Sequence, residues 1–222
     1  HVPFEVEFDY PPARVIALRA RLMEECGRGE GTMLAVGLPE EEAQALISRH
    51  DRTVTISAFN GPRSITLSGP RLSLEAMAAE LEAQGAFARL VRVDHPFHHP
   101  LMRPAAEALE EALSDLKPQP AKIPFFSTVT GERQAGEACD AAYWGNGIRQ
   151  PVRFAAAVNA LADFGVDLWL ELSAHPALAH AAQESLSARG SKPMIVSSLR
   201  REREFEAILE AMPEHPDANY NL

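Results

Sequence analysis

Cysteine is nearly missing from this 222-residue chain: Cys26 and Cys139 are the only two, and no CxxC or CxxH spacing joins them to other ligands. That excludes a disulfide framework, offers no cysteine-based zinc site and fits a reducing cytosol. An excess of positive charge is missing too. Against 31 acidic residues stand 21 basic ones, for a net charge of -10, a field that opposes nucleic acid and anionic membrane as partners. No apolar run exceeds about ten residues, half of what a membrane-crossing helix needs. No signal peptide opens the chain, since Glu5, Glu7 and Asp9 interrupt its first ten residues. The reading is a cytoplasmic protein with no membrane or nucleic-acid partner. The chain also lacks an initial Met, which reads as a processed or excised part of a larger protein. What is there is ordinary for a soluble globular fold: 46% hydrophobic and 23% charged residues, at a length that allows one large domain or two small ones.

HVPFEVEFDYPP reads as an extended arm stopped by Pro11 and Pro12. A helix follows over about 13–25, with Val15, Ile16, Leu22 and Met23 spaced by three and four. Gly27, Gly29 and Gly31 form a connector and not a phosphate loop, because no strand precedes them and no Lys-Ser/Thr follows. Residues 32–93 form a compact unit: a strand at 33–38, a helix started by Pro39 and three glutamates, a half-buried strand at 53–58, a turn at 60–63, a return strand, a helix ending near Gly85, and a strand at 87–93. The order β-α-β-β-α-β is that of a ferredoxin-like split unit. Beyond it the pattern predicts a helix over 101–116, a strand and turn at 123–131, a helix at 152–164, a strand at 167–172, a helix from His175-Pro176 to Gly190, a strand at 193–199 and a charged helix from Arg201. This alternation predicts an α/β fold: a parallel sheet with helices on both faces, carrying the ferredoxin-like unit as an insertion.

Three features could carry chemistry. Arg19 sits in the middle of the apolar stripe of the first helix, where a permanent charge needs an anion. The anion is either an internal Asp or Glu, or a substrate carboxylate that the guanidinium fork matches. His95, His98 and His99 cluster just before a helix, between subdomains. They read as packing residues, as a metal site short of further ligands, or as a general base whose pKa lies near neutrality. His175 stands at the end of a predicted parallel strand, where open α/β sheets place their sites. Its other reading is helix capping ahead of Pro176.

Six segments together carry a family resemblance: AFNGPRSITLSGP (58–70), VDHPFHHPLMRPA (93–105), PFFSTVTGE (124–132), YWGNGIRQPVRF (143–154), LELSAHPAL (170–178) and IVSSLRR (195–201). From about Arg14 to Arg201 the chain resembles the acyltransferase domain of modular polyketide synthases, akin to malonyl-CoA:acyl carrier protein transacylases. The resemblance implies an α/β-hydrolase-like body with an inserted ferredoxin-like subdomain. It implies that His98 is the catalytic base and that Arg19 clamps the free carboxylate of the extender unit. His95 and Phe97 fall in the four-residue motif tied to extender choice, and HPFH is nearer the malonyl-type HAFH than the methylmalonyl-type YASH. A bulky Phe97 leaves little room for an α-methyl branch. Gly147 stands where the family often has Asn or Gln, so only a backbone carbonyl is left to orient the imidazole.

The resemblance further implies a coenzyme A thioester substrate, the phosphopantetheine of an acyl carrier protein as acceptor, no permanently bound cofactor, and ketosynthase or other synthase domains as neighbours. One departure is large. The family's GHSxG nucleophile elbow precedes the Arg19 segment, and no GxSxG exists in this chain. Ser57, Ser64, Ser68 and Ser73 fall in the inserted unit and are not candidates. The expectation is therefore a C-terminal portion: residues 1–12 a foreign arm, 13–31 and 94–212 the large subdomain, 32–93 the small one, 213–222 a tail. The nucleophilic serine lies in a missing N-terminal segment, and the isolated chain is inactive. The competing readings are a noncatalytic scaffold or carrier-docking piece of a megasynthase, and a metal hydrolase built on the histidines.

Overall fold

The computed structural model describes residues 11–199. The expected arm before Pro11, the charged helix from Arg201 and the tail at 213–222 lie outside them. The described chain divides into two units, one ending at Ala157 and the other beginning at Val158.

In the first unit, α1 (Pro11–Gly27) starts two residues earlier than the sequence suggests. Its two prolines occupy the first turn, where their missing N–H groups have no helical partner to lose. Next come β1 (Thr32–Val36), α2 (Glu40–His50), β2 (Thr55–Gly61), β3 (Ser64–Gly69), α3 (Arg71–Ala83) and β4 (Ala88–Leu90). The strands form one sheet in the order β2-β3-β1-β4, antiparallel throughout. The two helices lie against one face. Ala43, Leu46 and Ile47 of α2 and Leu74, Met77, Ala78 and Leu81 of α3 close a core over Leu34, Val36, Ile65 and Leu67, the same apolar positions that the helical spacing picks out. The opposite face departs from expectation. Ser57 and Ser68 are fully buried, so β2 is covered on both sides, and their hydroxyls donate to the carbonyls of Thr66 and Thr32. Strand β4 is shorter than the 87–93 segment because Val93 N–H bonds the Val91 carbonyl in a tight turn that leaves the sheet.

The connector before β1 has a steric reason for glycine. A Cβ on Gly31 would lie 2.4 Å from the backbone oxygen of Gly69, and that strand cannot retreat, because Gly69 pairs with Thr32 in the sheet. Gly31→Ala is expected to destabilise the first unit by roughly 2–3 kcal/mol, read as a lowered urea midpoint with unchanged slope.

A 3-10 turn (Pro100–Met102) leads into α4 (Arg103–Ala112). This helix stops four residues short of the predicted end, in a turn where Leu116 N–H bonds the Leu113 carbonyl. Leu101, expected on its inner face, is exposed, and Met102 is buried instead. The segment 123–131 contributes only β5 (Phe125–Phe126), paired antiparallel with β6 (Arg133–Gln134). Helix α5 (Ala141–Arg149) has no counterpart in the sequence reading. Gly145 and Gly147 lower its intrinsic propensity, yet Asp140 caps it by accepting from Tyr143 N–H at 2.9 Å. Val15 and Met23 of α1, Met102, Ala105 and Leu109 at α4, and Ile148 of α5 form a second core.

The division between the units falls within α6 (Phe154–Asp163). The second unit holds β7 (Leu168–Glu171), α7 (Ala179–Ala188) and β8 (Met194–Ser197), with β7 and β8 parallel. The helix expected from His175-Pro176 begins only at Ala179. The Glu171 carboxylate accepts from the N–H groups of Ala177 and Ala179, each at 2.8 Å. Burial pushes this acid up, but the backbone donors outweigh it and hold it below the usual carboxylate range. Glu171 thus takes the capping role considered for His175, which is exposed.

Candidate active site

Residues far apart in sequence meet at one open cavity of about 440 Å³ in the first unit. Arg19 from α1 and His98 from the loop before α4 both line it. The apolar stripe thus splits: Val15 and Met23 enter the core, while Ile16, 57% exposed, lines the cavity beside Arg19.

Helix α1 carries other arginines, and each has an acid. Arg14 bonds the Asp115 carboxylate at 2.8 Å, and Arg21 lies 3.8 Å from Glu25. Arg19 makes no hydrogen bond or ion pair with any described residue, and no carboxylate among the described residues lines the cavity. Desolvation lowers its pKa. Of the two readings of Arg19, the internal salt bridge is absent among the described residues.

His98 is held by backbone alone. It is the only non-glycine residue with positive φ among those described, at 58°, a conformation that costs energy unless its surroundings enforce it. Two carbonyls at the end of α5 enforce it. His98 N–H donates to Ile148 O at 3.1 Å, and its Nδ1–H donates to Gln150 O at 3.0 Å. The sequence explains the second carbonyl. Gln150 precedes Pro151, which disfavours helical geometry. Its backbone is extended at φ -86°, ψ 151°, so its carbonyl leaves the helix direction. A carbonyl can only accept, so Nδ1 carries the proton and Nε2 keeps its lone pair. Burial, the nearby Arg19 charge and, against them, the Gln150 bond bring the His98 pKa to about 4. At neutral pH the imidazole is therefore a neutral base. Val152 anchors this stretch to the small sheet: its N–H donates to Ser57 O and its carbonyl accepts from Phe59 N–H, both at 2.8 Å.

The rest of the histidine cluster does other work. Both ring nitrogens of His99 are spent on backbone, one on Thr53 O at 2.7 Å and one on Leu101 N–H. His95 is buried, stacked on Phe97 with ring centroids 5.0 Å apart. Its Nε2 lies 3.2 Å from Glu24 Oε2, off the hydrogen-bond direction. Among the described residues no group of three His, Cys, Asp or Glu could hold a metal ion. His95 and Phe97, both expected to touch substrate, do not line the cavity. His95 packs on Gly27 and Phe97 on the second core, because both rings are apolar enough to be drawn inward. The walls that sequence reasoning missed are Phe125, Phe126, Val129, Tyr143 and Trp144. Tyr143 is fixed by Ser127, its hydroxyl 2.8 Å from that of the buried serine. PFFSTVTGE and YWGNGIRQPVRF contain all of these, but nothing in their spacing says which side chains face inward.

Residues 11–214 match the acyl transferase domain family. The chain is 42% identical over 190 residues to polyketide synthase GfsB of Streptomyces halstedii, an alignment covering 85% of this chain and 3% of that protein. In three dimensions it resembles the acyltransferase domain from module 8 of the salinomycin polyketide synthase, with a TM-score of 0.83 and 34% identity, over 90% of this chain and 47% of that one. It also resembles a loading acyltransferase from the avermectin modular polyketide synthase, with a TM-score of 0.82 and 31% identity, over 90% and 63%. The chain thus spans a small fraction of its curated relative and about half of the first solved domain.

Proposed function

Since the chain belongs to the acyl transferase domain family, we propose that it forms the carboxylate-binding and base-bearing part of an enzyme that moves a malonyl-type extender from coenzyme A to an acyl carrier protein. A serine outside this chain attacks the thioester carbonyl. Nε2 of His98 takes the hydroxyl proton and passes it to the departing coenzyme A thiol. The carrier's phosphopantetheine thiol then attacks the serine ester, giving its proton to the same nitrogen, and the serine recovers one on release. Backbone amides hold the oxyanion, and Arg19 binds the malonyl carboxylate. One observation carries this reading: a guanidinium unpaired among the described residues and a neutral imidazole with a free lone pair share a cavity whose described lining contains no acid.

The strand order supports reading 32–93 as a ferredoxin-like subdomain of an α/β-hydrolase-like body. Two features support a further segment carrying the serine. Parallel sheets are covered on both faces, whereas Leu168, Leu170 and Leu172 on alternate positions at β7 are each more than half exposed. The cavity is also open, with Ile16 and Phe125 exposed at its edge. Carrier protein and ketosynthase domains are the partners this reading entails. Incubated alone with malonyl-CoA, the chain is expected to keep its unmodified intact mass and to release coenzyme A at the buffer rate. A malonyl ester on this chain would overturn the placement of the nucleophile elsewhere.

A further inference from the structure

Helix α5 holds two glycines, and only one has a packing reason. A Cβ on Gly145 would stand 2.2 to 2.7 Å from atoms of the Glu110 side chain, so bare backbone there lets α4 and α5 lie close. Gly147 has no such neighbour. A Cβ built on it meets a single atom, Val129 Cγ2, at 3.5 Å, an ordinary contact, and its φ is not one that side chains avoid. Glycine inside a helix is less favourable than any ordinary residue. A position that could take alanine without strain, and does not, needs another reason.

That reason is the cavity. Gly147 and Val129 both line it, and the carbonyls that hold His98 come from Ile148 and Gln150, one and three residues further along. The absent side chain is therefore absent from the space beside the base. We infer that Gly147 is the specificity-determining position of this cavity, leaving room next to His98 for an alkyl branch on the α-carbon of the bound acyl group. The surrounding walls suit hydrocarbon: Val129, Val152, and the rings of Tyr143 and Trp144, with no acid and no lysine among them. Phe97, whose bulk argues for unbranched malonyl, packs into the second core and does not wall this space. The inference rests on the proposed carboxylate-thioester reading and extends it from malonyl to α-alkyl-malonyl thioesters.

Binding to the full chain tests it without a nucleophile. Inert ether analogues of malonyl-CoA and ethylmalonyl-CoA are titrated calorimetrically against the wild type, Gly147→Ala and Gly147→Val. The wild type is expected to bind the two within about threefold. Gly147→Val is expected to raise the ethylmalonyl-to-malonyl Kd ratio about tenfold or more, with Gly147→Ala between. The Tm of Gly147→Ala is expected to hold or to rise by a few degrees, since alanine favours the helix. A ratio that does not move, or equal weakening of both analogues in folded variants, overturns the inference. Acetyl and butyryl analogues, which lack the carboxylate, keep the size test independent of Arg19. If Arg19→Ala leaves the malonyl-over-acetyl preference intact, the functional reading fails and the size effect stands. If the size ratio stays flat in both pairs while that preference is lost, Gly147 alone is overturned.

Discussion

Arg19→Ala is expected to lower malonyl transfer about a hundredfold, and transfer of acetyl groups by less than threefold, in a polypeptide that joins this chain to the proposed serine segment. The magnitude follows from losing a charge-assisted, bidentate pair in a partly desolvated site, about 2–5 kcal/mol when one partner is truncated. The selectivity follows from geometry: among the described residues no acid pairs with Arg19 and no carboxylate lines the cavity, so removing it breaks no contact there. Arg14→Ala is the contrasting case, because its partner is Asp115 and its effect falls on stability alone, within about 1 kcal/mol. Competition between malonyl- and acetyl-CoA, read by mass of the loaded carrier, separates the outcomes. Equal loss for both acyl groups would rule out the clamp.

His98→Ala is expected to cost a factor of about 10² to 10⁴ in kcat, with Tm unchanged or slightly lowered, because alanine keeps the positive φ and the backbone bond to Ile148 O but loses the ring's bond to Gln150 O. The pH dependence is the sharper test. Burial and the Arg19 charge hold the native His98 pKa at about 4, against an ordinary value of 6.5. The acid limb of kcat/KM is therefore expected near pH 4, and Arg19→Ala is expected to move it upward by removing one of the two causes. Stability follows the same linkage. Between pH 6.5 and about 4 the unfolded chain binds a proton that the native imidazole refuses, so the native state loses stability as pH falls through that window, by on the order of 3 kcal/mol at most. Above 6.5 both states are neutral there and the contribution is flat. An NMR titration placing His98 near 6.5 in the folded chain would contradict both expectations.

Much of this was legible in the residues, for identifiable reasons. Helices α2 and α3 and the β2–β3 turn follow from local spacing, start signals and Pro62, and their buried faces are the ones the pattern gives. Arg19 was legible because a charge in an apolar stripe is anomalous whatever the fold. The failures are tertiary. Helix α5 forms despite two glycines because α4 and α1 pack on it. Strand β4 ends early at a turn that no single residue dictates. His95 and Phe97 share a motif with His98, yet they pack inward, while His98 reaches the cavity at a positive φ that two distant carbonyls impose. Proximity along the chain says nothing about such a reversal.

The anchoring of Val152 between Ser57 and Phe59 has a mechanical consequence. The carbonyl that steers the imidazole sits two residues before that anchor, so the small sheet serves as a datum for the base. Were the sheet to rock, the lone pair of the imidazole would swing with it. Ala58, buried opposite Val152 and outside the cavity lining, is thereby part of what would keep the proposed proton path in register.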